Sequence, residues 1–202
     1  MHDVPPLKAE HFENCRLFAD RRALLEIVPK HSIGAELGVL RGDFSNVLLT
    51  DVLPQHLTLI DLKFATDISA LFRIFIESGI VDAIESDSAT ALGKFPDGHF
   101  DWIYIDGDHS LQGVLRDACI AKHKIREYGI LIFNDYKMGD HTHPSGFYEY
   151  GVIDAVNNLC IQDGFELIGF AFHPQMYCDA AVRRKKQRSP GRLWTPYRAE
   201  FI

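Results

Sequence analysis

Apolar and polar positions along the chain follow two periods, one helical and one extended. Residues 8–28 carry apolar side chains at helical spacing (Phe12, Cys15, Phe18, Leu25, Val28) and stop at Pro29, which predicts an amphipathic N-terminal helix. Beyond it, SIGAELGV, HLTLIDL, IVDAIES, FDWIYID and GILIFND read as short apolar strands. Between them DFSNVLLTDVL, SALFRIFIES and LQGVLRDACIAKHKI read as helices. Near-continuous apolar strands separated by helices imply a parallel sheet covered on both faces, with right-handed crossovers.

The last quarter breaks that rhythm. After a loop rich in His, Pro and Gly (residues 137–149), GVIDAVNNLCIQD predicts a helix, and FELIGFAF and YCDAAVRR predict two strands joined only by HPQM. So short a link cannot cross over a sheet, so the two strands should form an antiparallel hairpin at the sheet edge. The expected fold is therefore α/β and Rossmann-like: a doubly wound, mostly parallel seven-stranded sheet with a C-terminal antiparallel hairpin. Three segments are expected: an N-terminal helical segment (1–30), one catalytic-sized domain (31–184) and a basic tail (185–202).

A chain of 202 residues with 47% hydrophobic content supports one sizeable core. Its net charge of −7 is uneven: residues 183–202 hold seven of the 21 Lys and Arg against one acid, a local +6, which leaves −13 for the rest. An acidic body argues against a general nucleic-acid surface, which needs a cationic face. Four Cys lie far apart without C-x-x-C spacing, and no N-terminal apolar run resembles a signal peptide, so a reducing cytoplasm is the expected location. No run approaches the roughly 18 apolar residues of a membrane span.

Charge changes the picture at the strand ends. In an open α/β sheet, ligands bind outside the carboxyl ends of the strands. There the sequence places Glu36, Asp61, Asp87, the pair Asp106 and Asp108, and the pair Asn134 and Asp135. Any one of these has a structural explanation as a helix cap or turn residue. Five strand ends in register point to a site. The first strand also enters a glycine turn, Glu36-Leu-Gly38-Val-Leu-Arg-Gly42, ahead of a helix with Asp43 as its expected N-cap. The glycines (Gly34, Gly38, Gly42) are four apart and lack the G-x-G-x-x-G of a dinucleotide loop. A ring of carboxylates would also repel a diphosphate. A ligand with hydroxyls and positive charge, such as S-adenosylmethionine, fits better.

These stretches resemble the class I S-adenosylmethionine-dependent methyltransferases, especially the small metal-associated O-methyltransferase-like branch. The resemblance covers roughly residues 30–184. AELGVLRG is similar to the cofactor glycine loop, LTLIDL to the strand whose terminal acid binds ribose, and ESDS to the adenine-side segment. DWIYIDGDHSLQGVLRDA followed by GILIFNDY is similar to the paired fourth and fifth strand ends of that branch. The resemblance implies that Glu36, Gly38 and Gly42 line the methionine side, that Asp61 holds the ribose diol, and that Asp87 and Ser88 border the adenine. For Glu36 the alternative is a buried structural acid.

Asp106, Asn134 and Asp135 supply hard oxygen ligands of the kind that Mg, Mn or Ca accept, and the resemblance points to the same three positions as a metal-binding site. The neutral Asn134 stands where an acid is common. His109 is suited to take a proton from an acceptor hydroxyl, or else, with Asp108, to cap the next helix. His141 and His143 suggest either a metal role or a surface lid, and Tyr136, Tyr148 and Tyr150 either line an acceptor pocket or pack. The expected partner is a small-molecule methyl acceptor, with a homo-oligomer as a further source of acceptor contacts. The competing readings are an inactive S-adenosylmethionine-binding protein on the same fold and a nicotinamide-dependent oxidoreductase.

Overall fold

The computed structural model describes residues 5–144 and 146–186. Among them eight strands form one sheet: β1 (Arg16–Phe18), β2 (Ile33–Leu37), β3 (His56–Asp61), β4 (Val81–Glu85), β5 (Phe100–Ile105), β6 (Ile125–Phe133), β9 (Phe165–Ala171) and β10 (Asp179–Arg184), in the order β1-β9-β10-β6-β5-β2-β3-β4. Two short strands, β7 (Gly139–Asp140) and β8 (Tyr148–Glu149), form a separate antiparallel pair inside the predicted loop. Helices α1 (Arg21–Leu24), α2 (Asp43–Val47), α3 (Ile68–Leu71), α4 (Arg73–Glu77), α5 (Ser88–Leu92), α6 (Leu111–Lys124) and α7 (Val152–Gln162) connect the strands. The mostly parallel, Rossmann-like α/β sheet is the expected one. No helix among the described residues is long and apolar enough to cross a membrane.

Side chains alternate across the central strand β5. Ile103 and Ile105 enter the core on one face of the sheet, while Trp102 and Tyr104 enter the core on the other. Trp102 is fully buried and its indole N–H donates to Ser32 Oγ at 2.9 Å, so the polar edge of the ring is satisfied. Truncating it to Ala would cost about 3–5 kcal/mol by transfer and cavity terms.

The N-terminal segment departs from its predicted helix. Asp20 caps α1 by accepting the Ala23 N–H at 2.8 Å, so the helix begins only at Arg21. The residues before it extend as β1 and pair in parallel with β9, burying Phe18 and leaving Leu17 outside. Local periodicity lost to strand pairing. This adds an eighth strand to the seven expected and moves the C-terminal hairpin off the sheet edge, because β1 lies outside β9. Only β10 runs antiparallel to its neighbours, β6 and β9. Residues 187–202 of the predicted basic tail lie outside the described residues.

Candidate active site

The chain builds β2, β3 and β4 toward one side of the sheet, then returns to place β5 beside β2 and continues the other way through β6. The crevice above the carboxyl ends of β2 and β5 is thus the topological switch point, where such sheets bind ligands. Leu37 O accepts the Asp106 N–H at 2.7 Å, tying the two strand ends together. Gly38 follows at φ 86°, and a Cβ there would lie 2.0 Å from the Asp106 carbonyl oxygen. Only glycine permits that approach.

A cleft of about 400 Å³ opens over this point, with Gly38, Asp61, Asp87, Ser88 and Asp106 in its walls. A smaller cleft of about 200 Å³ shares Gly38 and Asp106 and reaches Glu36 and Arg21. Gly42 lines neither; at φ 83° it is the N-cap of α2 and packs on Phe72, which also displaces Asp43 from the predicted cap to the first helical position.

Each predicted cofactor-side acid has a local task. Asp61 Oδ2 accepts the N–H groups of Val39 and Leu40, both at 2.8 Å, and Oδ1 accepts that of Lys63 at 3.1 Å. It thereby holds the glycine loop in a shape that puts Leu40 at φ 54°, costly for a residue with a side chain. Asp87 caps α5 through Thr90 N–H at 3.0 Å and pairs with Arg116 at 2.7 Å; the cap bond holds its carboxyl below the usual range. Ser88 Oγ donates to the buried Asp117 at 2.5 Å. Glu36 is buried and accepts the Ser45 hydroxyl, and burial pushes its carboxyl up to about 8.

The acids of the fourth and fifth strands converge on an imidazole. His109 Nε2 lies 3.5 Å from Asp106 Oδ1 and 3.8 Å from Asp135 Oδ2, is buried, and has no hydrogen-bond partner. Burial and the neighbouring Asp135 carboxylate push Asp106 well above the usual carboxylate range, and burial raises Asp135 and lowers His109. Asp108 braces the start of α6 by accepting the Ser110 N–H at 2.9 Å, and Ser110 itself caps that helix, while His109 faces the acids.

Three residues that sequence reasoning missed complete the cluster. Tyr104, fully buried on β5, donates to Asp179 Oδ2 at 2.6 Å, and burial pushes Asp179 up to about 7. Arg21 on α1 lies 3.9 Å from Asp106 Oδ2 and 4.3 Å from the Phe44 ring centroid. A lone acid opening the apolar strand of Asp179 was the one available signal; Arg21 had none.

The predicted metal trio does not fit a divalent ion as arranged. Asn134 is buried and its amide Nδ2 donates to Asp179 Oδ1 at 3.2 Å. Those two carboxylates face the His109 ring, where an ion would need oxygens at about 2.0–2.6 Å. Among the described residues no group of three or more His, Cys, Asp or Glu has metal-holding geometry. His141 and His143 instead make ring contacts with Phe147 and Tyr148 at 4.6 and 4.9 Å. Of the three tyrosines, Tyr136 donates to Asn157 and packs on Phe170, whereas Tyr150 stacks on His109 at 4.8 Å between ring centroids.

Solved structures of similar fold include 1,6-didemethyltoxoflavin-N1-methyltransferase of Burkholderia thailandensis (12% identity, TM-score 0.59, covering 78% of this chain and 72% of that one), crystallised with its acceptor and S-adenosylhomocysteine. Others are the N-methyltransferase NodS of Bradyrhizobium japonicum, solved with S-adenosylhomocysteine (16%, 0.59, 82% and 86%), and a SAM-dependent methyltransferase of Aquifex aeolicus (14%, 0.57, 90% and 95%). At such identities the likeness is one of fold. No curated protein matches the sequence. Residues 35–136, just over half of the 202, match the family described as a methyltransferase domain, and they span the glycine loop, Asp61, Asp106 and Asp135: the chain belongs to that enzyme family.

Proposed function

We propose that this methyltransferase is a class I enzyme that takes the methyl of S-adenosylmethionine to an oxygen of a small-molecule acceptor, with His109 as the general base. The observation that carries this reading is the unpartnered His109 Nε2, held between Asp106 and Asp135 beside the cleft that Gly38, Asp61 and Asp87 line. When bound, S-adenosylmethionine supplies a methyl group on a sulfonium, ready for direct displacement. The protein's own part is positioning, charge and one proton.

The Asp61 carboxylate gives the crevice a negative charge that suits a sulfonium or an ammonium and disfavours a diphosphate, and Glu36, raised to about 8 by burial, ionises more readily once a cation lies in the adjoining cleft. Asp61 Oδ1, with one backbone N–H already bound, retains a lone pair for one ribose hydroxyl; Oδ2 is committed to the loop. Asp87 and Ser88 border the opposite end. His109, kept below its usual range by burial, is neutral near pH 7 and free to accept the acceptor's proton, and the Asp135 carboxylate stabilises the imidazolium that results.

Isothermal titration tests the cofactor: S-adenosylmethionine should bind with micromolar affinity, roughly −8 kcal/mol, and NAD should not. NAD binding in its place would sink the reading. Methyl transfer to a panel of catechols and sugars separates an enzyme from an inactive binding protein. Transfer that is lost in excess chelator and restored by Mg would put an ion between Asp106 and Asp135 in place of the bare imidazole.

A further inference from the structure

A groove of about 610 Å³ lies beside the reaction centre, between the start of the 137–147 loop and the turn before β10. Its walls include Met138, Phe147 and Met176, which are 57%, 50% and 68% exposed, together with Tyr177 and Lys137. The Lys137 ammonium lies 3.1 Å from the Tyr177 ring centroid and 5.2 Å from that of Tyr150. Among the described residues no carboxylate oxygen lies within 4.0 Å of it. One oxygen of the groove's own acid, Asp140, is bound to the loop: its Oδ1 accepts the N–H and the hydroxyl of Thr142, both at 2.8 Å.

Lys137 and the reaction centre share one ring. Tyr150 stacks on His109 at 4.8 Å with an interplanar angle of 18°, and the same ring is the one 5.2 Å from Lys137. A molecule that offers an oxygen to His109 and extends past Tyr150 reaches an ammonium with three donors, on which Asp135 and Asp140 act only from beyond 4.0 Å. Tyrosine faces hold a cation in place but leave its charge available to an anion. The exposed methionines and Phe147 offer adaptable apolar contact for the body of such a molecule. The groove's walls lie outside residues 35–136, the stretch that matches the family.

We propose that this groove binds the methyl acceptor and that the acceptor carries an anionic group, carboxylate or phosphate, which pairs with Lys137. The inference rests on the methyltransferase reading and narrows its acceptor to an organic acid. Lys137 selects the acceptor; it takes no part in the methyl transfer.

The test is calorimetric titration of the S-adenosylhomocysteine-saturated protein with two matched pairs: 3,4-dihydroxycinnamate against its methyl ester, and 4-hydroxyphenyl phosphate against hydroquinone. In at least one pair the anion should bind about tenfold or more tightly than its neutral partner, as expected for a charge-assisted bond, and the pair that shows it identifies carboxylate or phosphate as the group. Lys137→Met, which keeps an apolar stem against the tyrosines, should abolish that preference while leaving S-adenosylhomocysteine affinity unchanged. Added salt should weaken it in the wild type. Equal binding of anion and neutral partner in both pairs overturns the proposal, as does a preference that survives Lys137→Met. If S-adenosylhomocysteine itself fails to bind, the cofactor reading falls and this inference with it; the two failures are read in separate titrations.

Discussion

His109 Nε2 faces Asp106 Oδ1 across 3.5 Å, with Asp135 on its other side and no hydrogen-bond partner of its own. An imidazole so placed can hold a proton between two carboxylates without moving. His109→Gln should lower the rate of methyl transfer by about 10²–10⁴-fold, the usual contribution of a general base, and leave S-adenosylhomocysteine affinity nearly intact. Single-turnover kinetics beside a binding titration measure both. Wild-type turnover in this variant would remove His109 from the chemistry.

Asp61 should prove to be a loop anchor as well as a ribose ligand. Asp61→Ala removes the acceptor of three backbone N–H groups, at Val39, Leu40 and Lys63. Affinity for S-adenosylmethionine should fall by at least about 1.5 kcal/mol, and amide hydrogen exchange at Val39 and Leu40 should quicken even without ligand. Unchanged affinity would sink the ribose assignment. Weaker binding with unaltered exchange would mean that the loop holds its shape by other means.

The difference between what was legible and what was not is one of range. Asp61 and Asp106 directly follow apolar runs, and Asp87 and Asp135 come within one or two residues of their strand ends, so parallel strand geometry carries them to one rim of the sheet. Arg21 and Asp179 reach Asp106 only because α1 docks beside the switch point and β10 inserts between β6 and β9. The hairpin of β9 and β10 is legible from its short link, but the docking of α1 and the place of β10 beside β6 leave no local mark in the sequence. The arrangement of the expected metal trio has a related cause: Asn134 sits beside Asp135 in sequence, but its amide is drawn to Asp179, 45 residues away. The predicted helix over residues 8–28 failed because a single cap, Asp20, starts the helix late and frees Arg16–Phe18 for the sheet.

The N-terminal boundary is therefore open to test by truncation. Removing residues 1–30 deletes β1 and Arg21, exposing the edge of β9 and taking away the guanidinium 3.9 Å from Asp106. That protein should lose both stability and turnover. Removing residues 187–202 should leave S-adenosylmethionine affinity unchanged, because β10 closes at Arg184. A soluble C-terminal truncation that no longer binds cofactor would assign the basic tail to the site.

Buried acids also set how stability depends on pH. Glu36 is 1% exposed, and burial raises its carboxyl from 4.5 to about 8; Asp179 is raised from 3.8 to about 7 by the same cause. Between the unfolded and folded values, the folded chain holds protons that the unfolded chain releases. Stability must then fall as pH rises from about 5 to about 8, by roughly 6 kcal/mol if both groups contribute in full. In a protein of this size that is a decline of more than about ten degrees in Tm. The exposed carboxylates with lowered values, such as Asp87, act in the opposite sense but are screened by solvent. Glu36→Gln, a neutral mimic of the protonated acid that can still accept the Ser45 hydroxyl, should remove a large part of the slope. A bound cation in the adjoining cleft favours the Glu36 carboxylate, so S-adenosylmethionine affinity should rise with pH until near 8 and do so less in Glu36→Gln. Thermal melts across pH 5 to 8 decide the first point. A wild-type Tm that is flat or rising over that range would show that Glu36 is not held protonated in the folded protein.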